Sequence, residues 1–442
     1  MLALTAEDPV LEDLSPRDSG IAAWSLLASV SFILMITWGF GSAFGVFREY
    51  YFKHGPMAGN QVVTSVGVMS MGTLQIMSPI LLRFLSGRPR HRNPMMWAGM
   101  ALVSASSIGA AFSMTPLQLI MTQGLLYGIG SGLLFAPSIS FIDEWFLERR
   151  GLANGLFFGS NNIAAAGLSP VFSLVLERFG PRTVLAAWAI LAASVISVCI
   201  LFVRPRLTKY DETTDTEDNK EKISWASFKK PLFWLFAVSM MLQGLASHLP
   251  AAYLPSYATD VGVSTTQAAL LITYLSLAGM FGQSFLGALT DAIGALVPHL
   301  LITLVSTFAL FVLWGLSQAY WAMVLFSILY GAFSFSFVVL RSHMAAAVVG
   351  DPDRPNDELV VSGALLSMRG VAALSSGYIG AAVAASGEHL GIQPGFGAGK
   401  WRPLIIAMGT LMFGATVGAL GFLKKEKRMI MQSGQKNDKR SP

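Results

Sequence analysis

The chain is punctuated by apolar runs, each long enough to cross about 30 Å of hydrocarbon as a helix, which takes about 20 residues. Six fall at 23–47, 60–82, 95–113, 117–141, 152–176 and 183–203. Six more fall at 232–257, 266–289, 296–316, 320–349, 359–385 and 402–423. Only 12% of the 442 residues are charged, about half the share a soluble globule carries, so this surface has no aqueous solution. In lipid every backbone N–H and C=O must be paired within the chain, and runs of this length satisfy that as helices. The sequence therefore predicts an all-α polytopic membrane protein: twelve transmembrane helices in two pseudo-symmetric six-helix bundles.

The twelve runs divide six and six around a polar stretch whose middle, Tyr210 to Lys222, buries nothing. The expected organisation is a cytoplasmic tail at 1–20, an N-terminal bundle at 21–204, a linker at 205–230, a C-terminal bundle at 231–423 and a basic tail at 424–442. The first 20 residues hold five acids against Arg17, the wrong charge for a signal peptide, and read as a solvated tail. With the N-terminus inside, the inner loops and tails carry 22 Lys and Arg and the outer loops 6. That asymmetry predicts both termini in the cytoplasm. The basic C-tail from Lys424 to Arg428 suits anionic lipid headgroups rather than nucleic acid. The single Cys199 excludes a disulfide framework and a cysteine metal site.

Glycines at 124, 128 and 132, and at 151, 155 and 159, put flat strips of backbone on the helices either side of a charged hinge, Asp143 to Arg150. Such strips let helices approach closely, which in lipid replaces the hydrophobic drive of a soluble core. The halves also echo each other. Leu126-Tyr127-Gly128-Ile129-Gly130-Ser131 returns as Leu329-Tyr330-Gly331-Ala332-Phe333-Ser334, and sliding span 5 onto span 11 sets Gly155 on Gly363 and Asn161 on Arg369. Repeated six-helix halves mark transporters with a binding site at the midplane between them.

At this point the chain resembles the major facilitator superfamily. Gly287-Ala-Leu-Thr-Asp291-Ala-Ile-Gly294 matches its Gly-x-x-x-Asp-x-x-Gly loop without the basic residues that usually follow, and the counterpart Leu82-Arg83-Phe84-Leu85-Ser86-Gly87-Arg88-Pro89-Arg90 keeps the charge without the acid. In relatives this loop latches the cytoplasmic gate. The resemblance therefore implies gating roles for Gly287, Asp291, Gly294 and Arg83, and for Arg149 and Arg150 of the hinge; the alternative for Asp291 is a solvated helix end. Within the superfamily the chain is similar to the monocarboxylate transporter family, particularly its fungal branch. Asp18-Ser19-Gly20 before Trp24 resembles that family's Asp-Gly-Gly at span 1, and Trp145 to Gly155 resembles its approach to span 5. The resemblance also shows departures. A lysine of animal members falls at Ser42, and their Asp and Arg pair, which couples proton and carboxylate, falls at Gly279 and Gln283.

Of 30 basic residues, Arg341 and Arg369 alone lie within spans. A charge at the bilayer centre costs about 2.5–3.5 kcal/mol on insertion scales, so both are functional candidates. All 25 acids lie in tails, loops or span ends, leaving no evident buried partner. A guanidinium in a cavity is a fork for a carboxylate; bonding to backbone carbonyls is the alternative. Asn161, Asn162, Gln243 and Gln283 are placed to complete a polar midplane site, or to glue helices. His343 and His248 are the embedded groups that titrate near neutrality, hence the candidates for proton coupling, with a structural hydrogen bond as the alternative. Trp24, Trp97, Trp145, Trp234, Trp321 and Trp401 sit near span ends, as interfacial anchors do.

No phosphate loop, His-Glu-x-x-His motif or ligand-spaced His or Cys cluster is present, so no catalysis, cofactor or metal is expected. The sequence thus predicts a multi-pass secondary transporter, of the plasma membrane, for a small organic anion, with protons as a candidate coupling ion. Export of a bulkier neutral or amphipathic metabolite is the alternative, and a non-transporting membrane sensor a third.

Overall fold

A computed structural model of the protein describes residues 17–54, 65–86, 88–206, 225–316, 318–351 and 354–423. The expected solvated tail up to residue 16, the linker core at 207–224, the start of span 2 at 60–64 and the basic C-tail at 424–442 lie outside the described residues. The first helix, α1, is Gly20–Ser42 continued past Ala43 by Phe44–Lys53. Then follow α2 (Ser65–Leu85), α3 (Arg92–Ala111) and α4 (Pro116–Trp145). One 53-residue helical run, Arg150–Phe202, holds two spans: Gly180 breaks it with φ 73° and ψ 166°, followed by Pro181, giving α5 (150–179) and α6 (181–202). Glycine accepts that φ without a Cβ penalty.

The second half repeats the pattern with α7 (Pro231–Asp260), α8 (Thr265–Ile293), α9 (Leu296–Trp314), α10 (Tyr320–Val349), α11 (Pro355–Ala385) and α12 (Arg402–Leu423). Ten helical stretches among the described residues are long and apolar enough to span a membrane. The broken run counts twice, and α3, diluted by Arg92, Asn93 and its serines, completes the twelve. Local chemistry sets several ends. Thr115 and Gln118 close a capping box ahead of α4, Ser264 caps α8, and Gly350 ends α10 in the left-handed conformation.

The echo between the halves is structural. Tyr127 on α4 donates to the Ile36 carbonyl of α1 at 3.0 Å, and Tyr330 on α10 donates to the Ala246 carbonyl of α7 at 3.1 Å. Each tyrosine also joins an aromatic cluster: Phe40, Phe47, Phe172 and Trp188 in one half, Tyr257, Trp314, Phe326 and Trp401 in the other. Gly128 packs on the Ser70 backbone of α2, and Gly331 on the Leu275 backbone of α8.

Between the halves run two seams, α5 against α8 and α2 against α11. A Cβ on Gly151 would lie 2.3 Å from the Gly287 carbonyl, and one on Gly155 2.3 Å from that of Gln283, so the glycine ladder of α5 is in backbone contact with α8. On the other seam Gly363 meets Pro79, and Gly370 meets Gln75 and Ile76. Burial is near-continuous over 151–160 of α5 and 359–370 of α11, then gives way to exposed positions over 161–170 and 371–385. The halves are therefore in closest contact at the end that carries the 4–5, 8–9 and 10–11 loops.

The tryptophans expected as interfacial anchors differ in burial. Trp97, Trp234 and Trp321 are exposed, but Trp145 and Trp401 are buried, their indole N–H groups donating to the Arg204 carbonyl and Asp260. Burial needed a hydrogen-bond partner, and the adjoining loops supply one.

Candidate functional site

At the closed end, the N-terminus of α5 presents orphan backbone N–H groups, as every helix start does. Two carboxylates take them. Asp18 accepts from Leu147 (3.0 Å), Glu148 (3.2 Å) and Arg149 (2.8 Å). Asp291, at the end of α8, accepts from Gly151 (2.7 Å) and Leu152 (2.8 Å). The first clasp lies within one half and the second joins the two halves. Asp18 is consequently part of the fold and not of a solvated tail; its φ of 56° lies in a region Asp tolerates, and its own N–H donates to the Trp145 carbonyl.

Arg150 extends the clasp, pairing with Asp143 of its own half at 2.8 Å and with Glu358 of the other. His343 brings Nε2 to 3.7 Å from Asp291. Gly287 is required by its close approach to Gly151, whereas Gly294 is open on all sides and terminates α8 through its φ of 81°. Arg83 lies over the ring of Trp225 at 5.6 Å. Arg149 is exposed and engaged through its backbone N–H.

Arg341 belongs to this end. It is fully buried on α10, donates to Asn154 Oδ1 at 3.2 Å and stacks over Phe158 at 5.6 Å. Asn154 in turn donates to the Arg150 carbonyl, and Asp143, Arg150 and Glu358 all act on Arg341 electrostatically. The expectation that it has no acidic company is corrected: Asp143 near the end of α4 and Glu358 near the start of α11 both act on it, through the pairs they make with Arg150.

Arg369 stands apart. Buried on α11, it donates from Nη1 to Gln243 Oε1 at 2.6 Å and from Nη2 to Ser247 Oγ at 3.4 Å, both neutral groups of α7. Its Nε has no partner among the described residues. Gln243 passes the contact on, donating to the Ser334 carbonyl at 2.7 Å. There α10 tightens into a 3₁₀ segment, Phe335–Leu340, whose weaker backbone geometry leaves carbonyls for side chains to claim. Gln283 of α8 claims the next one, Phe335, at 2.8 Å, and accepts from Asn162 of α5 at 3.3 Å. Asn161 faces away, accepting from Ser42 at 3.2 Å. The six polar residues read from the sequence are thus divided: Arg369, Gln243, Gln283 and Asn162 share one network through α10, Asn161 stays within its own half, and Arg341 joins the clasp. His248 bonds the Gly244 carbonyl of its own helix at 2.8 Å, where α7 bends.

Sequence reading missed the opposite seam. Gln75 of α2 is fully buried with both amide atoms unpartnered among the described residues, and Ser78 and Ser362 are orphaned likewise. Gln75 lies against Gly370, next in sequence to Arg369. A buried glutamine inside an apolar run was the available signal.

The chain matches the profile of the Major Facilitator Superfamily over residues 20–375. It belongs to that superfamily. Its likeness to solved structures includes the proton:xylose symporter XylE bound to 6-bromo-6-deoxy-D-glucose, with a TM-score of 0.68 at 13% identity over 91% of this chain and 95% of that one. Among curated relatives, the MFS-type transporter pynF of Aspergillus niger is 29% identical over 76% of each chain. The aspyridones efflux protein apdF of Emericella nidulans is 25% identical over 79% of this chain and 70% of its own. Monocarboxylate transporter 3 of Rattus norvegicus is 28% identical over 77% of this chain and 70% of its own. The superfamily member is a multi-pass secondary transporter of small molecules, not an enzyme.

Proposed function

We propose that this transporter carries an organic anion, a monocarboxylate-like substrate, bound by Arg369 at the midplane between two rocking bundles, 21–204 and 231–423. The observation that carries the reading is a buried guanidinium that, among the described residues, bonds only neutral groups and leaves its Nε unpartnered. A planar fork with donors to spare suits a carboxylate. Gln243 and Ser247 orient the fork, and Gln75 across Gly370 offers a further donor and acceptor. Arg341, Asp291, Arg150 and Gly287 serve the gate, with Asp18 holding the hinge. With both termini cytoplasmic in the plasma membrane, the present conformation is closed to the cytoplasm. His343, beside Asp291, is the proton-responsive group in this reading, and His248 is structural.

The test is counterflow of a panel of labelled carboxylates into proteoliposomes at two external pH values. Arg369→Gln abolishes the flux of the substrate that wild type carries, and Arg369→Lys restores little, because an ammonium cannot reproduce the fork. Wild-type counterflow in Arg369→Gln rules the anion site out. His343→Gln flattens the pH dependence while flux at the optimum persists.

A second reading is export of a bulkier amphipathic metabolite. It is favoured by position 279, where a side chain would collide with Phe335 at 2.6 Å, leaving no room for the acid that animal relatives use. Efflux of a neutral compound, insensitive to pH and to Arg369→Gln, selects it.

A further inference from the structure

A groove of about 270 Å³ opens where α1, α5 and α8 meet, outside the polar network. Trp24, Ala28 and Phe32 line it from α1, Leu156 and Ile163 from α5, and Met280 from α8. Phe32 is 52% exposed and Ile163 38%, so the groove faces out of the bundle. Its polar side chains are three serines: Ser160 donates to the Phe157 and Ser31 carbonyls and Ser284 to the Met280 carbonyl, and no charged group lines it. Such a wall fits hydrocarbon.

The end of the groove at Trp24 is different. Trp24 packs edge-on against Phe146 at 5.6 Å, in the hinge that Asp18 clasps. Around this joint Ile21 is 89% exposed and Leu147 60%, and Arg17, Arg149 and Glu148 are exposed, two positive charges against one negative. Apolar side chains beside a tryptophan and two arginines have the composition of a membrane-interface anchor.

We propose that this groove is a binding site for an anionic glycerophospholipid, one acyl chain lying along 24–35 and the phosphate held by Arg17 and Arg149. The charge at the mouth and the apolar wall below it match the two ends of that molecule. Because α1 and α5 belong to one half and α8 to the other, the chain fills a space that exists only while α5 and α8 are apposed. A bound lipid therefore stabilises the state closed at the clasp.

The test is native mass spectrometry of the delipidated full-length protein titrated with phosphatidylglycerol or phosphatidylcholine. One phosphatidylglycerol is retained at about 30-fold lower concentration than phosphatidylcholine, two arginines each contributing about fivefold. Arg17→Gln with Arg149→Gln removes the preference and leaves chain-dependent binding of both lipids. Ala28→Trp, which fills the groove from an exposed position, removes the retained lipid; Ser31→Leu does the same from the adjacent position should Ala28→Trp fail to fold. Equal retention of the two lipids by wild type, or undiminished phosphatidylglycerol on a folded groove-filled variant, overturns the site.

Discussion

The two seams between the halves are related by the pseudo-symmetry of the fold, yet they are finished differently. Along α5 and α8, Gly151, Gly155 and Gly287 bring backbones together, Asn162 pairs with Gln283, and Asp291 closes the end. Along α2 and α11 the glycines recur, but among the described residues Gln75, Ser78 and Ser362 are buried without partners and Arg369 Nε has none. A buried orphan amide costs about 1–3 kcal/mol. Arg341 at the clasp also leaves Nε and Nη1 unpartnered among the described residues, but it has Asp143 and Glu358 acting on it, whereas the seam of α2 and α11 keeps its unmet hydrogen-bonding capacity beside a guanidinium whose bonds all go to neutral groups. The lesson is that a repeat can conserve packing while dividing the labour of its polar groups.

The largest effect expected on this contrast comes from Gly155→Leu. With a carbonyl 2.3 Å from where its Cβ would sit, the cohesive seam must part, and counterflow is lost; retained transport breaks the claim that this seam is in backbone contact. Asp291→Asn keeps the shape and removes the charge from two backbone bonds. Charged hydrogen bonds being about twice as strong as neutral ones, thiol labelling of Thr290→Cys, buried on α8 one residue before Asp291, should rise about tenfold. Unchanged labelling means the clasp does not hold the halves.

Next come the two glutamines, which should differ in sign. Gln283→Leu strips partners from Asn162 and the Phe335 carbonyl and destabilises by about 1–3 kcal/mol, whereas Gln75→Leu removes an orphan and is neutral or stabilising by about 1 kcal/mol. Thermal unfolding in detergent reads both, and a shift of the same sign abolishes the distinction. Smallest, Tyr127→Phe and Tyr330→Phe each cost about 1 kcal/mol, since each breaks the bond to the equivalent partner helix, the long 3.5 Å bond that Tyr127 accepts from Trp188 adding little. A large inequality between them would show that the symmetry of packing does not extend to energy.

Span lengths, the glycine ladders and the paired tyrosines were legible because each depends on periodicity within one segment. Asp291 was legible from its motif. Gln75, Asn154 and Ser247 were not, because their significance depends on which helix faces them, and a rotation of one residue turns a side chain by about 100°. Arg341 shows the same limit: the sequence places it within a span and without an evident partner, but its neighbours Asn154 and Phe158 come from the other half. Asp18 was read as solvated because acidic residues crowd the segment before it, and nothing local announces the loop it holds.

The 3₁₀ segment of α10 has one further consequence. The carbonyl just before it and its own first one, on adjacent residues, are tied into different bundles, Ser334 through Gln243 to Arg369 and Phe335 through Gln283 to Asn162. On the anion reading proposed above, a cargo that draws the guanidinium off Gln243 slackens one rope on a peptide whose neighbour is tied to the opposite shore, and loading and rocking then share a single knot.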